Sequence, residues 1–341
     1  MIYQQLEEIV QTGQEQKLQP LYIRSQLKEH LQLYLLSFIY TSKPYKDNFI
    51  FTGGTCLRHF YGLERLSEDI DFDVLKKVDI DQLQFEVKKF FQKKYLLNNI
   101  SVSIKQRGKQ LLLKFPVLKK LGLASESESD LLYVKLDLSP IFPEHYDVIT
   151  ESKSNIGLNF VAKHYDLPTL MANKIYAIFE RKILKGKKNR PTIKGRDFFD
   201  LLWFVKRGTK LNLKRFGALT GNPQVQLAEI EQSLDEKVNT LHNKFLNDFE
   251  LDLLPFMSDP GFVKSYIKNY REEYQRNKAN SFATTINLVV RCQNCKQQFS
   301  SGITMSEQSY NSVSLIDNVH TCPFCQYKNM LNKGDYIVQG V

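Results

Sequence analysis

The chain has 341 residues, 42% of them hydrophobic and 25% charged, the balance of an ordinary globular protein, which excludes a disordered, collagenous or coiled-coil chain. Forty-seven Lys and Arg against 37 Asp and Glu give a net charge of +10, an excess that favours polyanionic partners such as nucleotides or nucleic acid. No apolar run approaches the roughly 18 residues of a membrane span, and length predicts two domains, or three if one is small.

In chain order, residues 1–40 read as helix, with Ile23, Leu27, Leu31, Tyr34, Leu35 and Phe38 spaced by three and four. The opening run carries Glu7 and Glu8 and lacks the basic start and apolar core of a secretory leader, so a cytoplasmic location is expected. Residues 48–52 form a short β-rich run that stops at Gly53-Gly54; helix resumes over 55–61, and Gly62 is placed to cap it. The run DIDFDVL at 69–75 alternates charged and apolar residues, the mark of a strand with one buried face. An amphipathic helix over 80–97 and strands over 100–105, 110–117 and 131–138 follow. The order β-α-β-α-β-β-β predicts an α+β fold, a mixed sheet with helices packed on it. From Leu170 the character turns helical, with helices over 170–184 and 194–205 and further helical stretches to about residue 280. The expected division is 1–165, 166–280 and 286–341.

Two motifs carry the chemistry of the first unit. A strand running into Gly53-Gly54-Thr55 and then a helix presents backbone N–H groups and a hydroxyl to a phosphate; glycine permits close approach, and the helix N-terminus adds positive charge. Thirteen residues separate Thr55 from Asp69, and Asp71 follows two positions on. On a strand these two carboxylates share a face about 7 Å apart, and beside a phosphate cradle they form a site for a divalent metal, Mg2+ or Mn2+, that bridges phosphate oxygens.

The spacing GGT-x13-DIDF resembles the signature of polymerase-β-type nucleotidyltransferases. The fuller run GGTCLRHFYGLERLSEDIDF, residues 53–72, resembles the AbiEii/AbiGii-type toxins, minimal nucleotidyltransferases of toxin–antitoxin and phage-defence systems. The likeness spans about residues 20–208. It implies that LPTLMANKIYAIFERK at 167–182 carries an active-site lysine at Lys174, and that RDFFDLL at 196–202 carries an acid at Asp197 or Asp200. It further implies a third carboxylate, best placed at Asp137, and a nucleotide-binding role for Arg65 and Ser67. Cys56 stands where the family often has Ser or Thr and is expected to pack inside. The activity implied is transfer of a nucleoside monophosphate from an NTP to an RNA acceptor, the tRNA 3′ end, in a cell protected by an antitoxin protein. Transfer to a protein hydroxyl, or a nucleotide-holding binding module without transfer, are the alternatives.

Residues 181–196 hold eight Lys or Arg and no acid. Lys185, Lys187, Lys188 and Arg190 are therefore candidates for RNA backbone contact, against a solvated loop. Tyr266, Tyr270 and Tyr274 either stack on RNA or, as is commoner at helical spacing, pack on a neighbouring helix. At the C-terminus, Cys292-x2-Cys295 and Cys322-x2-Cys325 are two knuckles 26 residues apart, and four thiolates give a closed, structural zinc site. Strands over 286–291 and 336–338 flank them, which makes the segment a zinc ribbon.

Overall fold

The computed structural model describes residues 2–142, 144–186, 189–283 and 285–340. Two helices, Ile2–Glu15 and Pro20–Thr41, open the chain. Pro20 starts the second, where its missing N–H and fixed φ cost nothing. Every residue from 30 to 40 is buried, so the second half of this helix lies inside the molecule on all its faces. Its Tyr40 hydroxyl donates to Lys163 O at 2.6 Å, tying it to the sheet.

The sheet has seven strands: β1 (Phe49–Thr52), β2 (Asp69–Val74), β3 (Ser101–Lys105), β4 (Gln110–Pro116), β5 (Leu131–Pro140), β6 (Val148–Asn155) and β7 (Leu158–Tyr165). Their order is β3-β4-β5-β2-β1-β7-β6. β2 runs parallel to β5 and β1 parallel to β7, while the other neighbours are antiparallel, so the sheet is mixed. β6 and β7 have no counterpart among the predicted strands. β6 lies at the edge and is almost wholly exposed, so its sequence VITESKSN lacks the apolar alternation that marks a half-buried strand.

Beyond Asp166, which caps the helix Leu167–Glu180 by accepting from Thr169 N at 3.0 Å, the chain is mainly helical. That helix was expected to reach residue 184 but ends at Glu180; Ile183–Lys185 and Arg190–Thr192 pair as a small hairpin. The helix Gly195–Lys206 follows, then Leu213–Thr220, Leu227–Lys244, Leu246–Leu253 and Pro260–Asn277. Tyr270 and Tyr274 are buried, and the Tyr270 hydroxyl donates to Phe198 O at 2.9 Å. The tyrosine stripe is therefore packing surface. Residues on both sides of the expected boundary near 165 share one hydrophobic core, which runs from Ile2 to Phe282.

The C-terminal segment has its own small core of Ile286, Leu288, Val290, Leu331 and Tyr336. Thr285–Arg291 is the middle strand of three, between Gln298–Ser306 and Ile337–Gly340, and Asn318–Thr321 pairs with Lys328–Leu331. The two Cys turns repeat one geometry. Cys292 N donates to Gln297 O at 2.9 Å and Cys322 N to Tyr327 O at 2.8 Å. Buried Asn329 joins them, accepting from Gln293 N at 2.7 Å and donating to Tyr327 O at 3.2 Å.

Candidate active site

The strand register lines up the polar groups of the first unit. Thr52 of β1 lies opposite Asp71 of β2, Asp71 opposite Asp137 of β5, and Asp137 opposite Gln110 of β4. One row across four strands thus carries two carboxylates, and Gln110 Nε2 donates to Asp137 Oδ1 at 2.7 Å. Asp69 lies one step away, opposite Lys135, whose Nζ is 3.2 Å from Asp69 Oδ1. Thr52, Asp69, Asp71 and Asp137 line a cavity of about 390 Å³ whose walls come from the sheet, the helix Gly53–Tyr61 and the helices Leu167–Glu180 and Gly195–Lys206.

Gly53 has φ +77°, and a Cβ there would lie 2.2 Å from Asp71 Oδ2; at Gly54 a Cβ would lie 2.7 Å from Arg65 Nη2. The two glycines are required because carboxylate and guanidinium pass directly over the backbone. They begin the helix Gly53–Tyr61, so its unpaired N–H groups open on the cavity. Thr55 differs from expectation. It is fully buried, its hydroxyl donates to the Asp69 carbonyl, and it does not line the cavity. Thr55 holds the strand Asp69–Val74 to the helix, and of the Gly-Gly-Thr run only the two glycines line the cavity. Cys56 is buried, as expected, and burial pushes its thiol well up.

Burial, with the charges of Asp69 and Asp137 close by, raises the Asp71 carboxyl to about 6. Burial also raises Asp137. Asp137 does not form a compact trio with the other two carboxylates: among the described residues only the four cysteines bring three or more donor atoms within 4.8 Å of one another.

The opposite wall is a buried ion cluster. Lys174 Nζ lies 2.9 Å from Asp197 Oδ1 and 2.8 Å from Asp200 Oδ2. Arg65 forks onto Asp200 at 2.6 and 2.7 Å, and Arg181 bonds the second oxygen of Asp197. Asp197 and Asp200, three apart on one helix, both turn inward and both meet Lys174. Burial alone would raise their carboxyls, but Lys174 with Arg181 holds Asp197, and Arg65 with Lys174 holds Asp200, below the usual range. Ser67 lines the cavity beside Arg65, with its Oγ 3.0 Å from where a Gly54 Cβ would sit.

Of the basic stretch, Arg181, Lys194 and Arg196 line the cavity. Arg190 bonds Asp248 at 2.6 Å, Lys185 is exposed on the hairpin, and Lys187 and Lys188 lie outside the described residues. Lys194 is the cation that sequence reasoning missed. Its carbonyl accepts from Asp197 N at 3.0 Å, but its ammonium makes no ion pair or hydrogen bond among the described residues, and burial lowers it. Its signal was weak because it is one lysine among eight cations, and only the start of the helix at Gly195 turns it inward. Arg215 was missed as well. It is 1% exposed, donates to the carbonyls of Phe142 and Glu144 at 2.7 and 2.8 Å, and forms part of the cavity wall.

At the C-terminus the Sγ pairs Cys292–Cys325 and Cys295–Cys322 are each 3.6 Å apart, and all four sulfurs lie within 4.8 Å of one another. Four thiolates at about 2.3 Å from one centre have edges near 3.8 Å, so the group fits zinc.

A glycine-started helix, a carboxylate-bearing strand pair and a facing cationic wall around one cavity define a nucleotidyltransferase. The model of the family "nucleotidyl transferase AbiEii toxin, type IV TA system" matches residues 37–277. The chain belongs to that family. It is also similar to MenT4, a nucleotidyltransferase toxin of Mycobacterium tuberculosis, at 13% identity over 80% of this chain and 88% of that one, with a TM-score of 0.48. JHP933 of Helicobacter pylori is similar at 17% identity over 74% and 90%, with a TM-score of 0.41. No curated protein sequence matches the chain. Among the described residues no helix is long and apolar enough to cross a membrane.

Proposed function

We propose that the chain moves a nucleoside monophosphate from an NTP onto an RNA acceptor, with the tRNA 3′ end as the expected one, and that an antitoxin protein restrains it. The observation that carries this reading is the placement of Asp69 and Asp71 against the Gly53–Gly54 turn, with Lys174, Lys194 and Arg181 across the cavity. Asp69 and Asp71 would hold Mg2+ or Mn2+, which the negative charge they share with Asp137 favours; a metal there would neutralise triphosphate charge and stabilise the leaving pyrophosphate.

The protein groups divide the remaining work. The helix N–H groups at Gly53 and Gly54 point at phosphate oxygens, and Lys194 presents a cation to the leaving phosphates. The Lys174–Asp197–Asp200–Arg65 cluster fixes that wall in place and excludes water. The acceptor hydroxyl attacks the α-phosphorus as the bond to pyrophosphate breaks. Asp137, oriented by Gln110 and made more basic by burial, takes the hydroxyl proton.

Incubation with each labelled NTP and total cellular RNA tests the reading. Labelled tRNA is expected; label on protein alone would move the acceptor to a protein hydroxyl, and no label would leave only a nucleotide-holding module. Asp69→Asn and Asp71→Asn should each cut transfer at least a hundredfold, and Asp71→Asn should melt at or above the wild-type temperature, because removing a buried carboxylate beside two others relieves repulsion. Wild-type rates in both would overturn the assignment.

A further inference from the structure

The ribbon carries a strip of side chains that neither its own core nor the rest of the chain covers. Phe324 is 62% exposed, Met330 60%, Val319 53% and Tyr327 44%. Val319 pairs with Met330 and Thr321 with Lys328, so the alternation of the two strands puts Val319, Thr321, Lys328 and Met330 on one outer face. The intervening residues turn in: Asn329 to Gln293 N, and His320 to the Tyr336 hydroxyl at 2.8 Å. Phe324 sits in the second Cys turn at the end of this strip, and Tyr327 leads out of it.

The charges are sorted along the ribbon. Arg291 ends the strand that enters the first knuckle, Lys296 lies inside that knuckle, and Lys328 leaves the second; all three are exposed. The cysteines bring the two knuckles together. Asp317 lies next to the Asn318–Leu331 pair, at the opposite end of the hairpin, and Asp335 is turned to Asn332 N at 2.7 Å on that same side. A near-neutral segment therefore has a tip with cations and aromatic rings and, among the described residues, no carboxylate. Among the described residues neither Arg291 nor Lys328 is in an ion pair, and Lys296 Nζ donates to Gln293 O at 2.6 Å.

We propose that this knuckle tip, centred on Phe324 and Tyr327 and flanked by Arg291, Lys296 and Lys328, is a docking site for single-stranded RNA. Unpaired bases present flat faces that stack on exposed aromatic side chains, and their phosphates need cations alongside. A protein partner matched to the apolar strip alone would leave the three cations facing nothing. The family match ends at residue 277, so the site belongs to the part of the chain that the family model does not reach. Its place in the reaction, delivery of an acceptor strand, rests on the RNA reading above; the binding itself does not.

The test uses the full zinc-loaded chain and a fluorescein-labelled oligouridine of about a dozen nucleotides bearing one 4-thiouridine. Crosslinks to the peptide containing Phe324 and Tyr327 are expected. Phe324→Ala with Tyr327→Ala should weaken binding at least about tenfold. Arg291→Gln with Lys328→Gln should reduce the salt slope by about 0.7 per charge removed. Both double variants should keep one equivalent of zinc, which shows that the ribbon is folded. Crosslinks confined to residues before 283, with wild-type affinity in the aromatic double variant, overturn the proposal. So does loss of a co-purifying protein in that variant with RNA binding unchanged. RNA labelling without tip crosslinks sinks this site and leaves the transferase reading standing; tip crosslinks without labelled RNA do the reverse.

Discussion

Lys174 and Lys194 face the same cavity, and their partners separate what each does. Lys174 is clamped between two buried carboxylates. Removing it leaves those charges short of a partner, so Lys174→Met should cost about 3–5 kcal/mol of stability and inactivate the enzyme. Lys194 has no such partner and already bears the cost of burial. Lys194→Met should therefore leave stability within about 1 kcal/mol while lowering kcat/KM at least tenfold. Melting curves beside steady-state rates check both, and a fully active Lys194→Met would remove that residue from the site. Two buried histidines contribute to the response to acid. Burial lowers His30 to about 4, and burial with Lys153 and Arg58 lowers His59 to about 3. Both values lie under the unfolded value of about 6.5, so the folded chain binds fewer protons. The stability they contribute is complete above pH 6.5 and falls as pH drops toward 4, by about 1–3 kcal/mol for each. Urea titrations from pH 7 to pH 4.5 should show this loss, and His30→Gln should make it shallower; an unchanged slope in the variant would assign the acid sensitivity elsewhere.

The elements divide into those that carry their own stability and those that need help. The hairpin Ile183–Lys185 and Arg190–Thr192 has only three residues per strand, too few to stand without packing, and Arg190 ties it down through Asp248. The remaining charges follow from position alone: neutralising Lys185, Lys187 and Lys188 should weaken RNA binding and flatten its salt dependence by up to about 0.7 per charge, with NTP turnover unchanged. An unaltered slope would make the segment a solvated loop. The ribbon's buried set is Ile286, Leu288, Val290, Leu331 and Tyr336, a core too small for a segment of this length to fold on without a metal. Cys292→Ser should release one equivalent of zinc and abolish order beyond about residue 285, read as loss of hydrogen-exchange protection confined to that segment. Protection retained there would show that the strands, not the metal, hold the ribbon.

At the scale of the molecule, one core extends from Ile2 to Phe282 and a second is confined to the ribbon. A chain ending at residue 283 should accordingly keep a single cooperative melt within about 2–4 °C of the full-length transition and bind NTP with unchanged affinity. Lost NTP binding on truncation would put the ribbon inside the active site. The sheet and the helices from Leu167 onward cannot be separated in this way, because the cavity takes its anionic wall from β2 and β5 and its cationic wall from the helices. The excess of +10 is likewise not spread evenly: part of it is turned into this cavity against carboxylates, and part is left on the hairpin and the ribbon tip.

The sequence alone determined the parts whose chemistry is local. Gly53-Gly54 before a helix, Asp69 and Asp71 two apart on a strand, and two Cys-x2-Cys turns are each set by spacing within a few residues, and each appears where that spacing predicts. The capping glycine at Gly62, with φ +77°, belongs to the same class. What only the tertiary structure decided are pairings between distant segments. Thr55 turned from phosphate ligand to strap because the Asp69 carbonyl lies beside it. Lys174 acquired both acids rather than one because Asp197 and Asp200 lie one helical turn apart against it. Lys194 was turned into the cavity, beside Arg181 and Arg196, by where a helix begins, and β6 became a strand because an exposed edge needs hydrogen-bond partners, not an apolar pattern. Periodicity reports which face of an element is buried, and it is silent on which other element supplies the partner.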